Sequence, residues 1–212
     1  MDNLSLYKDF KINLNVSRET CNDLEKYIDL LIDQNKVINL ISRKNQNRDF
    51  IRERHIIDSM QVVDFIDFNC KKILDIGSGA GFPAVVLSIL AKNLNKKIEI
   101  NMFEKSYHKS NFLKNVSKEL NLNTKIFQKN IFEETDSGEK IITARAFKSL
   151  PIILDLVDKN FKNFKNIILF MGETGEKILK DVLYGWKIDY ELKKSLTNNK
   201  SFILNIKNFE KK

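Results

Sequence analysis

The segment that most constrains the fold is an apolar run followed by three glycines at alternate positions. Residues 73–76 are apolar apart from Asp75, and Gly77, Gly79 and Gly81 follow before an apolar helical pattern begins. Glycine is needed where a backbone turns sharply from a strand into a helix and must approach a ligand closely. The segment therefore predicts a ligand-binding turn at the carboxyl end of a parallel strand.

The spacing of this turn favours one kind of ligand. A dinucleotide fingerprint has the pattern G-x-G-x-x-G, whereas this chain has G-x-G-x-G with Asp75 two residues before the first glycine. A carboxylate there repels a pyrophosphate but helps to hold a cationic amino-acid head group. S-adenosylmethionine carries such an ammonium group and no phosphate, so the pattern favours it over NAD. The alternative is a tight turn that serves only strand–helix packing.

A second acidic residue, Glu104, ends the next predicted strand. In a doubly wound sheet this position faces the ligand crevice, where a carboxylate can accept hydrogen bonds from both hydroxyls of a ribose. The alternative is a surface glutamate paired with Lys105 or Lys109.

Strand and helix patterns alternate from residue 71 onward. Seven runs match strands, at residues 72–76, 97–103, 125–128, 140–146, 166–171, 187–192 and 202–206. Helical patterns occupy residues 82–92, 106–120, 150–162 and 173–184. This alternation predicts an α/β fold with a seven-stranded, mostly parallel sheet, helices on both faces and a final hairpin. That arrangement is the Rossmann-like class I methyltransferase fold.

The first part of the chain has a helical pattern instead. We expect residues 1–68 to form an N-terminal helical extension packed on a core of residues 69–212. Thr20 is the predicted cap of a first helix, and a second helix is expected over residues 50–65.

Charge and composition narrow the class of protein. Thirty-six Lys and Arg residues against 28 Asp and Glu give a net charge of +8, which fits a polyanionic partner, although a lysine-rich composition alone would also produce it. The two cysteines have no metal-site or disulfide spacing, so no metal site is expected. No run is long enough to span a bilayer, and we expect a cytoplasmic protein without a membrane partner.

Four segments in order along the chain carry a family resemblance. They are the Tyr27…Asn35…Asn39-Leu40 pattern, Arg54-His55-Ile56-Ile57-Asp58-Ser59, the glycine turn with Phe82-Pro83, and the run from Thr143 to Leu150. With them the chain resembles the bacterial 16S ribosomal RNA guanine-N7 methyltransferase family, also called glucose-inhibited division protein B.

The resemblance implies that the cofactor is S-adenosylmethionine. The implied partner is 16S rRNA, either alone or within a small ribosomal subunit or its assembly intermediate. The protein is expected to be a monomer. Together with the residue patterns it gives these cofactor-binding candidates: Asp75, Gly77, Ser78, Gly79, Gly81, Phe82, Glu104, Asn130, Ile131, Phe132 and Arg145. The RNA-binding candidates are Arg43, Lys44, Arg48, Arg52, Arg54, His55, Lys109 and Arg145, with Lys193, Lys194 and Lys200 near the last hairpin.

Some of these residues have a structural alternative. Arg145 interrupts an apolar run and could instead pair with Asp58 to hold the two regions together. Arg54 and Asp58 lie four apart on a helix and could pair with each other, and His55 could serve as a cap or form a hydrogen bond between the two regions. Asn130 stands where the family commonly has an arginine, and Met171 where it commonly has a lysine, so both lack the charge usual there.

The expected chemistry needs no catalytic side chain. Guanine N7 has a free lone pair and no proton to lose, so catalysis by alignment is expected and no general base is assigned. Two alternatives remain at this point: a methyltransferase that acts on a small molecule or a protein, and a non-catalytic RNA-binding module.

Overall fold

The computed structural model describes Tyr7 and residues 16–135 and 138–212. Within these residues, one sheet contains β1 (Lys72–Ile76), β2 (Glu99–Phe103), β3 (Thr124–Phe127), β4 (Ile141–Arg145), β5 (Asn166–Met171), β6 (Trp186–Lys194) and β7 (Phe202–Lys211). The strand order is β3-β2-β1-β4-β5-β7-β6. Strands β1 to β5 pair in parallel, and β7 is antiparallel to both β5 and β6. The predicted sheet and its final hairpin are confirmed.

The helices are α1 (Arg18–Asn35), α2 (Arg48–Ile51), α3 (Asp58–Met60), α4 (Ala84–Asn93), α5 (Tyr107–Glu119), α6 (Leu150–Asn160) and α7 (Gly175–Gly185). A π-helical segment (Arg52–Ile57) joins α2 to α3, and a 3₁₀ turn (Gln61–Phe65) follows α3. Two further 3₁₀ turns span Arg43–Asn45 and Ile131–Glu133.

Two sequence predictions for the N-terminal region are wrong in detail. The cap of α1 is Ser17, whose side chain accepts a hydrogen bond from the backbone N–H of Thr20 at 3.2 Å. Thr20 lies inside the helix and is buried. The single helix expected over residues 50–65 is a series of α, π and 3₁₀ pieces, because local backbone bonding changes around Arg52–Ile57.

The sheet separates two hydrophobic clusters. On one face, the buried side chains of α1, such as Leu24 and Ile28, share a cluster with α4 and with Leu113 of α5. On the other face, α6 and α7 pack through residues such as Leu154 and Leu179. The described helices before β1 thus share a core with the sheet. The division at residue 68 stays a prediction, and residues 1–6 and 8–15 of the expected extension lie outside the described residues.

The topology also places the site. The strand order reverses between β1 and β4, so the connections leaving these two strands diverge and open a crevice at their carboxyl ends. The three-glycine turn follows β1 at this point.

Among residues 16–135 and 138–212, no helix combines the length and apolar character that crossing a bilayer requires.

Candidate functional site

The turn after β1 depends on its glycines for conformation and space. Gly77, Gly79 and Gly81 all have positive φ, at 72°, 55° and 102°. The backbone N–H groups of Gly77 and Ser78 donate to the carbonyl of Phe103 at 2.9 and 3.1 Å, which ties the turn to the end of β2. A Cβ on Gly81 would lie 2.5 Å from Val85 Cγ2, so a larger residue does not fit there.

Tyr27 of α1 holds the far side of the turn. Its hydroxyl donates to the carbonyl of Ala80 at 2.6 Å, and its ring centroid lies 5.4 Å from that of Phe82. Burial raises the pKa of the Tyr27 phenol well above its ordinary value, so the hydroxyl stays a donor. Tyr27 lies on an otherwise aliphatic face of α1, which signals that its hydroxyl needs a partner without showing which one.

Asp75 lies behind the turn, outside the cavity wall. Its Oδ1 accepts a hydrogen bond from Thr143 Oγ1 at 2.6 Å, whereas its Oδ2 is buried without a hydrogen-bond partner in the described chain. Burial raises the pKa of Asp75 to about 7, and the charge of Glu104 acts in the same direction. A buried carboxylate with a free oxygen favours a nearby cationic group or a water molecule that bridges to one.

Glu104 lies at the end of β2, as predicted, and its carboxylate supports the turn directly. Its Oε2 accepts from Gly79 N at 2.9 Å and its Oε1 from Ser106 N at 2.8 Å. Glu104 is buried, and within the described residues it forms no ion pair with Lys105 or Lys109, so the surface-pair alternative does not hold. Each oxygen keeps a lone pair for a further donor.

A cavity of ≈ 550 Å³ opens above the turn, within the size range of small-molecule sites. It brings together most of the predicted residues: Gly77, Ser78, Gly79, Phe82, Glu104, Asn130, Ile131, Phe132, Arg145, His55 and Lys109. Asp75 and Gly81 support the wall from behind. Asn130 caps the 3₁₀ turn that carries Phe132, and it donates to Glu133 Oε1 at 2.9 Å.

Arg145 joins the end of β4 to the π-helical segment. Its Nη2 donates to the Arg54 carbonyl at 2.7 Å, lies 3.1 Å from His55 Nδ1 and pairs with Asp58 Oδ2 at 3.3 Å. Its Nη1 lies 3.4 Å from Ser59 Oγ. Burial lowers the pKa of Arg145, and the charge of Asp58 opposes that effect. The alternative raised from the sequence, an Arg145–Asp58 pair that joins the two regions, is what the structure shows.

Asp58 also binds the last hairpin. Its Oδ1 accepts from Ser195 Oγ at 2.9 Å and from Thr197 Oγ1 at 3.2 Å. Arg54 does not pair with Asp58 but donates to the Thr197 carbonyl. Residues 54–59 therefore connect the end of β4 to the β6–β7 turn through hydrogen bonds and an ion pair.

Comparison with known proteins identifies the family. The family model described as rRNA small subunit methyltransferase G matches residues 20–201. The chain belongs to this family. A protein of Pelagibacter ubique (strain HTCC1062) named Ribosomal RNA small subunit methyltransferase G is 48% identical over 209 residues, which cover 98% of each chain. A Rickettsia bellii (strain OSU 85-389) protein of the same name is 33% identical and covers 93% of this chain and 98% of its own. The family resemblance stated from the sequence is confirmed.

A solved structure agrees with this fold. A SAM-dependent methyltransferase from Aquifex aeolicus superposes with a TM-score of 0.53 at 17% identity and covers 74% of this chain and 91% of its own. The predicted Rossmann-like methyltransferase fold is confirmed.

Several cations predicted to contact RNA have other partners in this chain. Arg52 is 7% exposed and forms a two-pronged ion pair with Glu25, so it is not available to a phosphate. Arg48 pairs with Glu25 and Asp29. Lys193 pairs with Asp64, and Lys200 with Glu173. These partners lie far away in sequence, which is why charge spacing did not show them. Arg43 and Lys44 are exposed.

Three cavity-lining lysines were missed from the sequence. Lys105, Lys129 and Lys148 follow the ends of β2, β3 and β4 and lie at the cavity with Lys109. Lys129 pairs with Glu134 at 2.9 Å, whereas the other three have no ion pair in the described part of the chain. Their positions directly after predicted strands were the signal that could have found them, because the carboxyl ends of parallel strands meet at one edge.

Proposed function

We propose that this chain is an S-adenosylmethionine-dependent methyltransferase that modifies N7 of one guanine in small-subunit ribosomal RNA. One observation carries the proposal: in a member of the methyltransferase G family, a cavity at the ends of β1 and β4 is built by a three-glycine turn with two carboxylates beside it. The substrate, the expected monomeric state and a cytoplasmic location form part of the same proposal.

The residues present fit this cofactor. The unpartnered Oδ2 of Asp75, behind the turn, would attract the ammonium group through a bridging water, and Glu104 in the cavity wall would accept from the ribose hydroxyls. The Phe132 side chain, 40% exposed, would lie against the adenine. Its ring stacks with that of Phe147, with centroids 6.0 Å apart. When bound, the cofactor supplies an electrophilic methyl group.

The chain's own residues would act by alignment and charge control. Guanine N7 has no proton to lose, so positioning is the main requirement, and positioning of this kind supplies roughly 7–11 kcal/mol. Methylated N7 carries a positive charge, which an uncompensated cation nearby would oppose. The positive charge of Arg145 is offset by Asp58 and backbone carbonyls, so the wall it forms does not add that penalty.

The direct test is to map N7-methylguanosine in small-subunit rRNA from cells that lack this gene, by borohydride and aniline cleavage. We expect one cleavage site to disappear and to return with the intact gene. The Asp75→Ala variant should fail to restore it, because the buried partner of the cofactor's ammonium group is removed. An unchanged cleavage pattern in the deleted strain would contradict the assigned reaction.

The unpaired lysines at the cavity predict how RNA binds. Changing Lys105, Lys109 and Lys148 together to glutamine should weaken small-subunit RNA binding by about 10- to 100-fold at low salt. The slope of log affinity against log salt should fall by roughly 0.7–0.9 for each phosphate that the variant no longer binds. A filter-binding titration at several salt concentrations measures both quantities.

A matched triple variant removes the same charge elsewhere. The control changes three exposed lysines, Lys97, Lys159 and Lys162. They lie in or near the segments that precede β2 and β5, at the amino ends of the strands and away from the cavity. Their change to glutamine should leave the salt slope almost unaltered. If both triple variants weaken binding equally, net charge and not the cavity rim determines RNA affinity.

A further inference from the structure

His55 is held rigidly in the cavity wall. Its ring stacks on Phe82 of the glycine turn, with centroids 4.9 Å apart and planes at 18°, and meets the edge of Phe50 at 6.0 Å. Both aromatic neighbours also line the cavity. A side chain fixed on two sides in this way presents its polar atoms in a defined direction.

The contact with Arg145 fixes which nitrogen carries the proton. A guanidinium only donates hydrogen bonds, so His55 Nδ1, 3.1 Å from Arg145 Nη2, must accept. Burial lowers the pKa of His55 to about 3, with the charges of Arg145 and Arg54 acting in the same direction, so the ring is neutral near pH 7. The proton therefore lies on Nε2, at the opposite edge of the ring from Arg145.

The Nε2–H group of this cavity-lining side chain is left without a protein acceptor. It has no hydrogen-bond partner within the described residues, and it is not among the fully buried polar atoms that lack one. Arg145 has less capacity to read a ligand, because the Arg54 carbonyl, His55, Ser59 and Asp58 already surround its terminal nitrogens.

We propose that His55 reads the target guanine by donating its Nε2–H to O6. The inference rests on the proposed reaction at N7. Guanine presents O6 and N7 as adjacent acceptors on one edge, whereas adenine presents an amino group in place of O6. His55 Nε2–H can donate to O6 of guanine. With adenine, the same N–H would face the amino group, and two donors cannot form a hydrogen bond with each other.

The neutral state of the ring suits this role. A cation beside O6 would oppose the positive charge that develops on the base as N7 is methylated. A neutral imidazole supplies the hydrogen bond without that charge. In this arrangement Arg145 is a positioning residue, since it fixes the tautomer of His55 and, after burial, helps to keep the ring neutral.

Two variants separate the donor from the ring. His55→Phe keeps an aromatic ring on Phe82 but has no donor, and His55→Gln has a side-chain N–H of similar reach but no ring. Both are assayed on small subunits purified from cells that lack the gene, with kcat and KM measured separately and cofactor affinity measured by calorimetry. We expect His55→Phe to lower kcat by about 10- to 100-fold with cofactor affinity within twofold of wild type. The kcat of His55→Gln should be higher than that of His55→Phe. On a logarithmic scale it should restore at least a third of the difference in kcat between His55→Phe and the wild type.

The outcomes are distinguishable. If the wild-type enzyme itself deposits no N7-methylguanosine, the proposed function fails. If the wild type is active and His55→Phe matches it, or if Phe and Gln variants lose the same activity, only the role of His55 is overturned. Loss of cofactor affinity in His55→Phe would assign the residue to packing of the glycine turn and would also overturn base recognition.

Discussion

Replacing Gly81 with alanine is expected to lower the free energy of unfolding by roughly 2–6 kcal/mol and to abolish detectable cofactor binding. Overpacking costs about 1–3 kcal/mol and forbidden backbone geometry about 1–3 kcal/mol more. The new Cβ would lie 2.5 Å from Val85 Cγ2 and 3.0 Å from both Leu113 Cδ2 and the Tyr27 hydroxyl, at a φ of 102°. Urea unfolding and calorimetric titration with the cofactor measure the two effects.

Gly79→Ala is the matched control for Gly81→Ala. At Gly79 the φ of 55° lies in the left-handed region, which costs other residues about 1–2 kcal/mol, and the nearest atom to an added Cβ is Gly77 O at 3.8 Å. Its loss of stability should therefore be clearly smaller. If both variants lose the same unfolding free energy, backbone conformation alone makes Gly81 necessary. The packing of α1 and α5 against the turn would then contribute nothing to the effect.

The sheet and the glycine turn could be predicted because their signals are local. The central strands β1, β4 and β5 are short, mostly apolar runs, and a buried strand next to Gly77, Gly79 and Gly81 leaves few backbone alternatives. Glu104 could be placed at the site by the same logic, since the ends of adjacent parallel strands meet at one edge. Predictions of this kind need only the order of elements along the chain.

Apart from the Arg145–Asp58 pair, the partners of charged side chains could not be predicted, because they depend on contacts between distant segments. Arg52 and Arg145 have the same charge, yet Arg52 is buried against Glu25 of α1, whereas Arg145 pairs with Asp58 at the cavity. Nothing in the spacing of Arg43 to Arg54 distinguishes a phosphate contact from a buried ion pair. The hydroxyl contact of Tyr27 with Ala80 is hidden for the same reason, since 53 residues separate them.

The buried ion pair of Glu25 holds α1 to the α2 and π-helical segments. Arg52 donates through Nε to Glu25 Oε1 at 2.8 Å and through Nη2 to Oε2 at 2.9 Å. Tyr7 and Arg48 donate to the same carboxylate at 2.8 and 2.7 Å. Burial raises the pKa of Glu25, but these hydrogen bonds outweigh burial and hold it below its ordinary value. The carboxylate therefore stabilises the fold above the pKa of an unfolded glutamate, and that stability is lost as pH falls through the lower folded pKa.

Glu25→Ala is expected to lower the free energy of unfolding at pH 7 by about 3 kcal/mol, because it removes the two-pronged partner of the buried Arg52 and leaves only the exposed Asp49 paired with it. The variant should also lose part of the fall in stability that the wild type shows below about pH 5. Asp29→Ala removes only the exposed partner of Arg48 and should cost less than about 1 kcal/mol. Urea unfolding of both variants and the wild type at pH 4 and pH 7 checks these values. A Glu25→Ala loss as small as that of Asp29→Ala would mean that Asp49 and water satisfy Arg52, and that the Glu25 ion pair contributes little to holding α1 on the π-helical segment.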